Sequence, residues 1–168
     1  MNTHPEVLNN FTRLCEAVGL LVIKWALIEQ QIDNWVNVSF NNCGGNAIDG
    51  HQNVPHALKR KIHFLKNSFK ALPPLAPFAP EGRNLLARIS TFSPKRHELV
   101  HGAITSLDAS RGSFKYRLVG YRLQQHTLRE FEFDIHDFPT LEKSLSALLT
   151  EGILFSQKLA NAFPCLSG

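Results

Sequence analysis

Apolar residues recur along residues 5–40 in two adjacent helical rows. Leu8, Phe11, Cys15, Val18, Val22, Trp25, Ile32 and Val36 form one row, and Leu14, Leu21, Ile28 and Trp35 form the other. Adjoining rows make a wide apolar face, which predicts a long helix from about Pro5 to Phe40, largely buried against others. Thr3 and Glu6 have capping-box spacing, and Pro5 suits a first turn. Glu29 falls inside the first row. A carboxylate there needs a partner, most simply an Arg from another helix, unless it lies at the stripe's edge and reaches water.

Asn41 to Asn53 is rich in Gly and Asn and reads as a loop. Leu58, Ile62, Leu65 and Phe69 then mark the buried face of a second helix, from about Pro55 to Leu72 with Asn53 as its cap. The prolines of residues 73–80 stop that helix and predict an extended, semi-rigid connector. A third helix follows from about Glu81, with Leu85, Leu86, Ile89 and Phe92 inward. Pro94 kinks it, or ends it so that Ser93 caps a new short segment. Gly102 is a helix terminator.

The period then changes from helical to alternating. Ala103 to Leu107 reads as a strand, Asp108 to Ser113 as a turn, and residues 114–119 as a second strand, with Phe114, Tyr116 and Leu118 opposite Lys115, Arg117 and Val119. Gly120 suggests a bulge. Leu128 to Ile135 sets Phe131, Phe133 and Ile135 against Glu130, Glu132 and Asp134. A last helix runs from near residues 137–140 to about Phe163, lined by Leu141, Leu145, Leu148, Leu149, Ile153, Leu154, Phe155 and Leu159. The expected fold is mainly α: a four-helix up-and-down bundle in one domain, residues 1–168, with a small antiparallel hairpin or sheet (103–135) inserted before the last helix.

Composition and charge narrow the function classes. The opening residues lack a signal-peptide pattern, no apolar run approaches a membrane span, and Cys15, Cys43 and Cys165 are widely separated, which fits a reducing cytoplasm. The overall charge of +4 is uneven. Residues 1–54 carry a net −3, residues 55–102 a net +7, and the remainder is balanced. Positive charge therefore surrounds the Arg96–His101 stretch; a phosphate-rich partner is one explanation and a solvated helical surface the other. Lys115, Arg117 and Arg122 on the hairpin, with Tyr116 or Tyr121 to stack on bases, offer a further nucleic-acid track or simply the wet face of a sheet. Ser93, Ser106 and Cys43 have no nucleophile context.

The central stretch has two chemical readings. His97-Glu98-x-x-His101 matches the zinc-peptidase pattern, in which two His on one helical face share a metal and the Glu is the base. The extended pattern with a Gly and then a His downstream is absent, a later Glu as third ligand would have to be Glu130 or Glu132 on a predicted strand, and charged Lys95 and Arg96 precede the motif. Alternatively, Arg96, His97, Val100 and His101 fall within about 140° of one another on a helix, offering a guanidinium and two imidazoles on one side. An Arg holds a phosphate through a fork, and a His near neutral pKa moves a proton. Together they can promote attack of an RNA 2′-hydroxyl on its own phosphate without metal.

Arg96, polar His97, His101 and Gly102 at the end of the third helix resemble the HEPN family (higher eukaryotes and prokaryotes nucleotide-binding domain). Its pattern is an Arg, a polar residue often Asn, and a His, with four to six residues between the Arg and the His. Here four residues intervene and the polar residue is His. The long first helix with Trp25 and Glu29, and the hairpin before the last helix, also resemble that layout. The resemblance implies a homodimer. In active members it also implies metal-independent endoribonuclease activity with no cofactor, often in toxin–antitoxin or phage-defence settings with a cognate antitoxin or nucleotidyltransferase-like partner. Arg96 and His101 would then be catalytic, His97 the supporting polar residue, Lys95, Arg60 and Arg88 cations for the RNA, and Glu29 a structural support. Other members are non-catalytic binding or scaffold modules.

Overall fold

The computed structural model describes residues 5–48, 53–108, 111–122 and 125–164, with the backbone alone at 121–122 and 125–126. Thr3, Asp49, Gly50 and Cys165, and the side chains of Tyr121 and Arg122, lie outside this description. The helices are α1 (Pro5–Asn41), α2 (Leu58–Ala71), α3 (Ala79–His101) and α4 (Phe138–Ala162). Strands β1 (Ala103–Asp108), β2 (Ser113–Arg122) and β3 (Gln125–Asp134) form one antiparallel sheet in that order. The fold is therefore mainly α with a small sheet inserted before the last helix, as the change of period predicts. Among the described residues, no helix is long and apolar enough to cross a membrane.

The chain groups into two compact units. One comprises Trp25–Thr91 and Ala147–Gly168, and is helical. Its core takes Trp25, Ile28, Ile32 and Trp35 from α1, Phe64, Leu65 and Phe69 from α2, Leu85, Leu86 and Ile89 from α3, and Phe155 and Leu159 from α4. Phe155 is the hub: Trp35, Phe69 and Phe78 meet its ring edge-on at centroid distances of 5.0, 5.9 and 6.4 Å. Edge-to-face contacts of this kind add to the burial of apolar area. The Trp35 indole N–H donates to Ser156 Oγ (2.6 Å), so burying that ring leaves no donor unpaired. Ion pairs Lys61–Asp33, Arg88–Glu151 and Lys158–Glu81 tie the helices at the surface.

The other unit comprises Met1–Lys24 and Phe92–Ser146. Leu14 and Leu21 of α1, Phe92, Glu98 and Leu99 of α3, Ser113, Phe114 and Tyr116 of β2, and Ile135, Phe138 and Leu145 are among its buried residues. Strands β2 and β3 pair without interruption from Ser113↔Asp134 to Arg122↔Gln125. Gly112 turns the chain at φ 64°, and its carbonyl accepts from the Ile135 N–H at 3.0 Å, tying the start of the hairpin to its exit. Lys24 reaches Glu142 (2.8 Å) and Ser146 (2.7 Å) on α4.

Several expectations are corrected. Helix α3 runs unbroken through Pro94, which neither ends it nor lets Ser93 cap a new segment. A proline forfeits one hydrogen bond, and the turns on either side retain theirs. The N-cap of α2 is Ala57, without a side-chain cap, so Asn53 does not serve. Residues 73–78 form a 3-10 helix rather than an extended connector, because Leu75 is drawn fully into the core. The register irregularity lies between Ile104 and Ser106, while Gly120 pairs in register with Thr127. The second apolar row of α1 is buried along its length. The first is buried only from Trp25 onward, and Leu8, Phe11 and Val22 are exposed.

Gly82 of α3 faces the aromatic hub, where an added Cβ would stand 2.6 Å from Phe69 and 3.1 Å from Phe155. Gly82→Ala should therefore destabilise the protein by about 1–3 kcal/mol, read as a lower urea midpoint at unchanged m-value.

Candidate functional site

The last two turns of α3 carry the site. Because the helix passes through Pro94, Arg96, His97 and His101 stay on one continuous helical surface. Glu98 and Leu99, 7% and 5% exposed, occupy the opposite side. Arg96 Nη1 lies 3.5 Å from His101 Nε2, and the His97 and His101 rings are 4.8 Å apart, tilted by 49°. Both imidazoles are exposed and Arg96 is half-buried. The buried Nε of Arg96 has no hydrogen-bond partner among the described residues. The helix ends here, with Gly102 N donating to Glu98 O at 2.9 Å, so the two imidazoles stand at the negative end of the helix dipole, where cations are favoured. Lys95 beside them is exposed.

The other candidates are placed differently. Arg60 is exposed on α2, and Arg88 is committed to Glu151, whose carboxyl it holds below the ordinary carboxylate range. Both belong to the helical unit, whereas Lys95, Arg96, His97 and His101 belong to the sheet-bearing unit. Glu29 is half-buried and accepts the Trp25 indole N–H at 2.6 Å, four residues back on the same helix.

Among the described residues, no cluster of three or more His, Cys, Asp or Glu side chains could hold a metal ion. Glu98, the would-be base, is buried and lies 2.8 Å from Arg129 Nη2 of β3. Nor is the outer face of the sheet a bare cationic track. Arg117 pairs with Glu130 at 2.8 Å, and Lys115 is directly opposite Glu132 in the register. Cys15 and Cys43 are free thiols, and burial pushes the Cys43 thiol up.

Sequence reasoning missed Arg129. A signal was present: alternation places Arg129 on the same face of β3 as Phe131 and Phe133, from which its guanidinium reaches a buried carboxylate although the Arg129 side chain is itself 66% exposed. Glu98, adjoining buried Leu99, is that carboxylate.

Tyr116 of β2 lies against the same helix end. It is 2% exposed, and its hydroxyl has no hydrogen-bond partner among the described residues. Burial, with a smaller contribution from Cys15, pushes its phenol up to about 12. An unfolded tyrosine ionises near 10, so the contribution of the neutral phenol is fully present below about pH 10 and is lost as the pH rises through about 12. Tyr116→Phe should match or exceed the wild type in stability at pH 8, since it removes an unpaired buried hydroxyl. It should also lose less stability on going to pH 11. Urea midpoints at the two pH values check this.

Comparison with known proteins returns no match to any family model, to any curated protein or to any solved structure.

Proposed function

We propose that the protein is a metal-independent endoribonuclease of HEPN type, working as a cytoplasmic homodimer in which two copies of the Arg96–His97–His101 surface face one RNA phosphate. The observation that carries this reading is the 3.5 Å approach of the Arg96 guanidinium to His101, with His97 alongside, on an exposed helix end. The neighbouring carboxylate, Glu98, is already neutralised by Arg129. Such a surface favours an anion and offers proton carriers within reach of it.

In the proposed reaction, the neutral His101 imidazole takes the proton of the RNA 2′-hydroxyl. The O2′–P bond forms as the P–O5′ bond breaks. An imidazolium, His97 or a histidine of the second copy, returns a proton to the leaving 5′-oxygen. The products are a 2′,3′-cyclic phosphate and a 5′-hydroxyl end. Arg96 stabilises the negative charge that accumulates on the non-bridging oxygens, and Lys95 adds to the attraction for the backbone. A toxin or phage-defence setting, with an antitoxin or nucleotidyltransferase-like partner, is the context implied by the family resemblance.

Purified protein should cleave an RNA pool in excess EDTA. His101→Ala and Arg96→Ala should each lower the rate by about 100-fold or more while retaining the wild-type melting temperature. Unchanged cleavage in both variants would remove these residues from the reaction.

A further inference from the structure

The side of α3 opposite the site meets the sheet through two contacts. The first is electrostatic: Arg129 Nη2 stands 2.8 Å from Glu98 Oε1, yet that oxygen receives no aligned hydrogen bond. The pair is thus held by charge rather than by the directional fork of a guanidinium. The second is steric. A Cβ on Gly102 would lie 2.6 Å from Glu98 O, 2.9 Å from Phe131 Cζ and 3.2 Å from Tyr116 Cδ1. Only a glycine lets the stacked Tyr116 and Phe131 rings, 5.2 Å apart and 8° from parallel, come up to the helix end.

The spacings of the two elements match. Glu98 and Gly102 are one helical turn apart, about 6 Å along the axis. Arg129 and Phe131 are two residues apart on one face of β3, about 6.8 Å. One strand therefore grips two successive points of the helix, on the side away from Arg96, His97 and His101.

We infer that β3 is the positioning element of the site, and that Arg129 is a positioning residue acting through Glu98 to fix where the two imidazoles stand. The inference rests on the reading of Arg96, His97 and His101 as the working groups. Arg129 would not itself touch RNA.

The test compares Arg129→Met and Arg129→Lys with the wild type, using one defined RNA in EDTA. It also records the imidazole NMR signals of His97 and His101 in 13C-histidine-labelled protein, assigned with His97→Asn and His101→Asn. Because charge rather than fork geometry holds the pair, Arg129→Lys should keep kcat within about threefold of the wild type. Arg129→Met should lower kcat about 10- to 100-fold with little change in KM, as expected when reacting groups are displaced. The two imidazole signals should shift in Arg129→Met and coincide with the wild type in Arg129→Lys. A raised KM at unchanged kcat would overturn the inference by making Arg129 a substrate contact. Imidazole signals in Arg129→Met that superimpose on the wild type would overturn it as well. If the wild type does not cleave RNA, the nuclease reading fails by itself and the imidazole comparison still decides the positioning role. Should Arg129→Met not fold, Arg129→Gln, which keeps the length and polarity without the charge, is read by the same criteria.

Discussion

Burial of Glu98 and Leu99 on one side of α3 is what turns Arg96, His97 and His101 outward together. A helix has a limited circumference, and once one arc is committed to packing, the remaining residues of two turns share the other. Glu98 is the telling member of the buried arc. A carboxylate is costly to bury alone, and the cost is offset here by a cation arriving from another element. The orientation of the end of α3 thus depends on a strand that lies more than twenty residues later in the chain.

Several cations of the sheet-bearing unit stand against carboxylates. Arg117 faces Glu130, Lys115 faces Glu132, Lys24 reaches Glu142 and Arg129 reaches Glu98. Arg96 is different: its near neighbour is another potential cation, His101, rather than a carboxylate. Two basic groups held at close range repel when both are charged, and an anion between them relieves that repulsion.

The periodicity of the chain made the helices and the sheet legible because each has an apolar face with its own spacing, 3.6 residues in α1 to α4 and 2 in β2 and β3. The Arg96–His101 surface was legible for the same reason, since helical spacing alone brings those residues to one side. Features that depend on tertiary packing were not. Pro94 reads locally as either a kink or a breaker, and the helix continues past it. Residues 73–78 read as an extended connector until Leu75 is seen in the core. The role of Arg129 needs both a strand face and a helix face, which no single local window contains.

The uninterrupted pairing of β2 with β3 has a consequence for how the chain tolerates change. Side chains alternate across a strand, so the face that receives Glu98 is selected by parity alone. A slip of one residue in this ladder would exchange Arg129 for Glu130 and set a carboxylate against a carboxylate, while a slip of two would preserve the inward face. Length variation is therefore tolerable at the tip beyond Arg122 and Gln125, where it adds chain without altering parity. Between Ser113 and Arg129 along the paired strands, a single inserted or deleted residue would act as a frameshift in three dimensions, reversing the sign of the charge presented to α3 while leaving every other residue of the sequence in place.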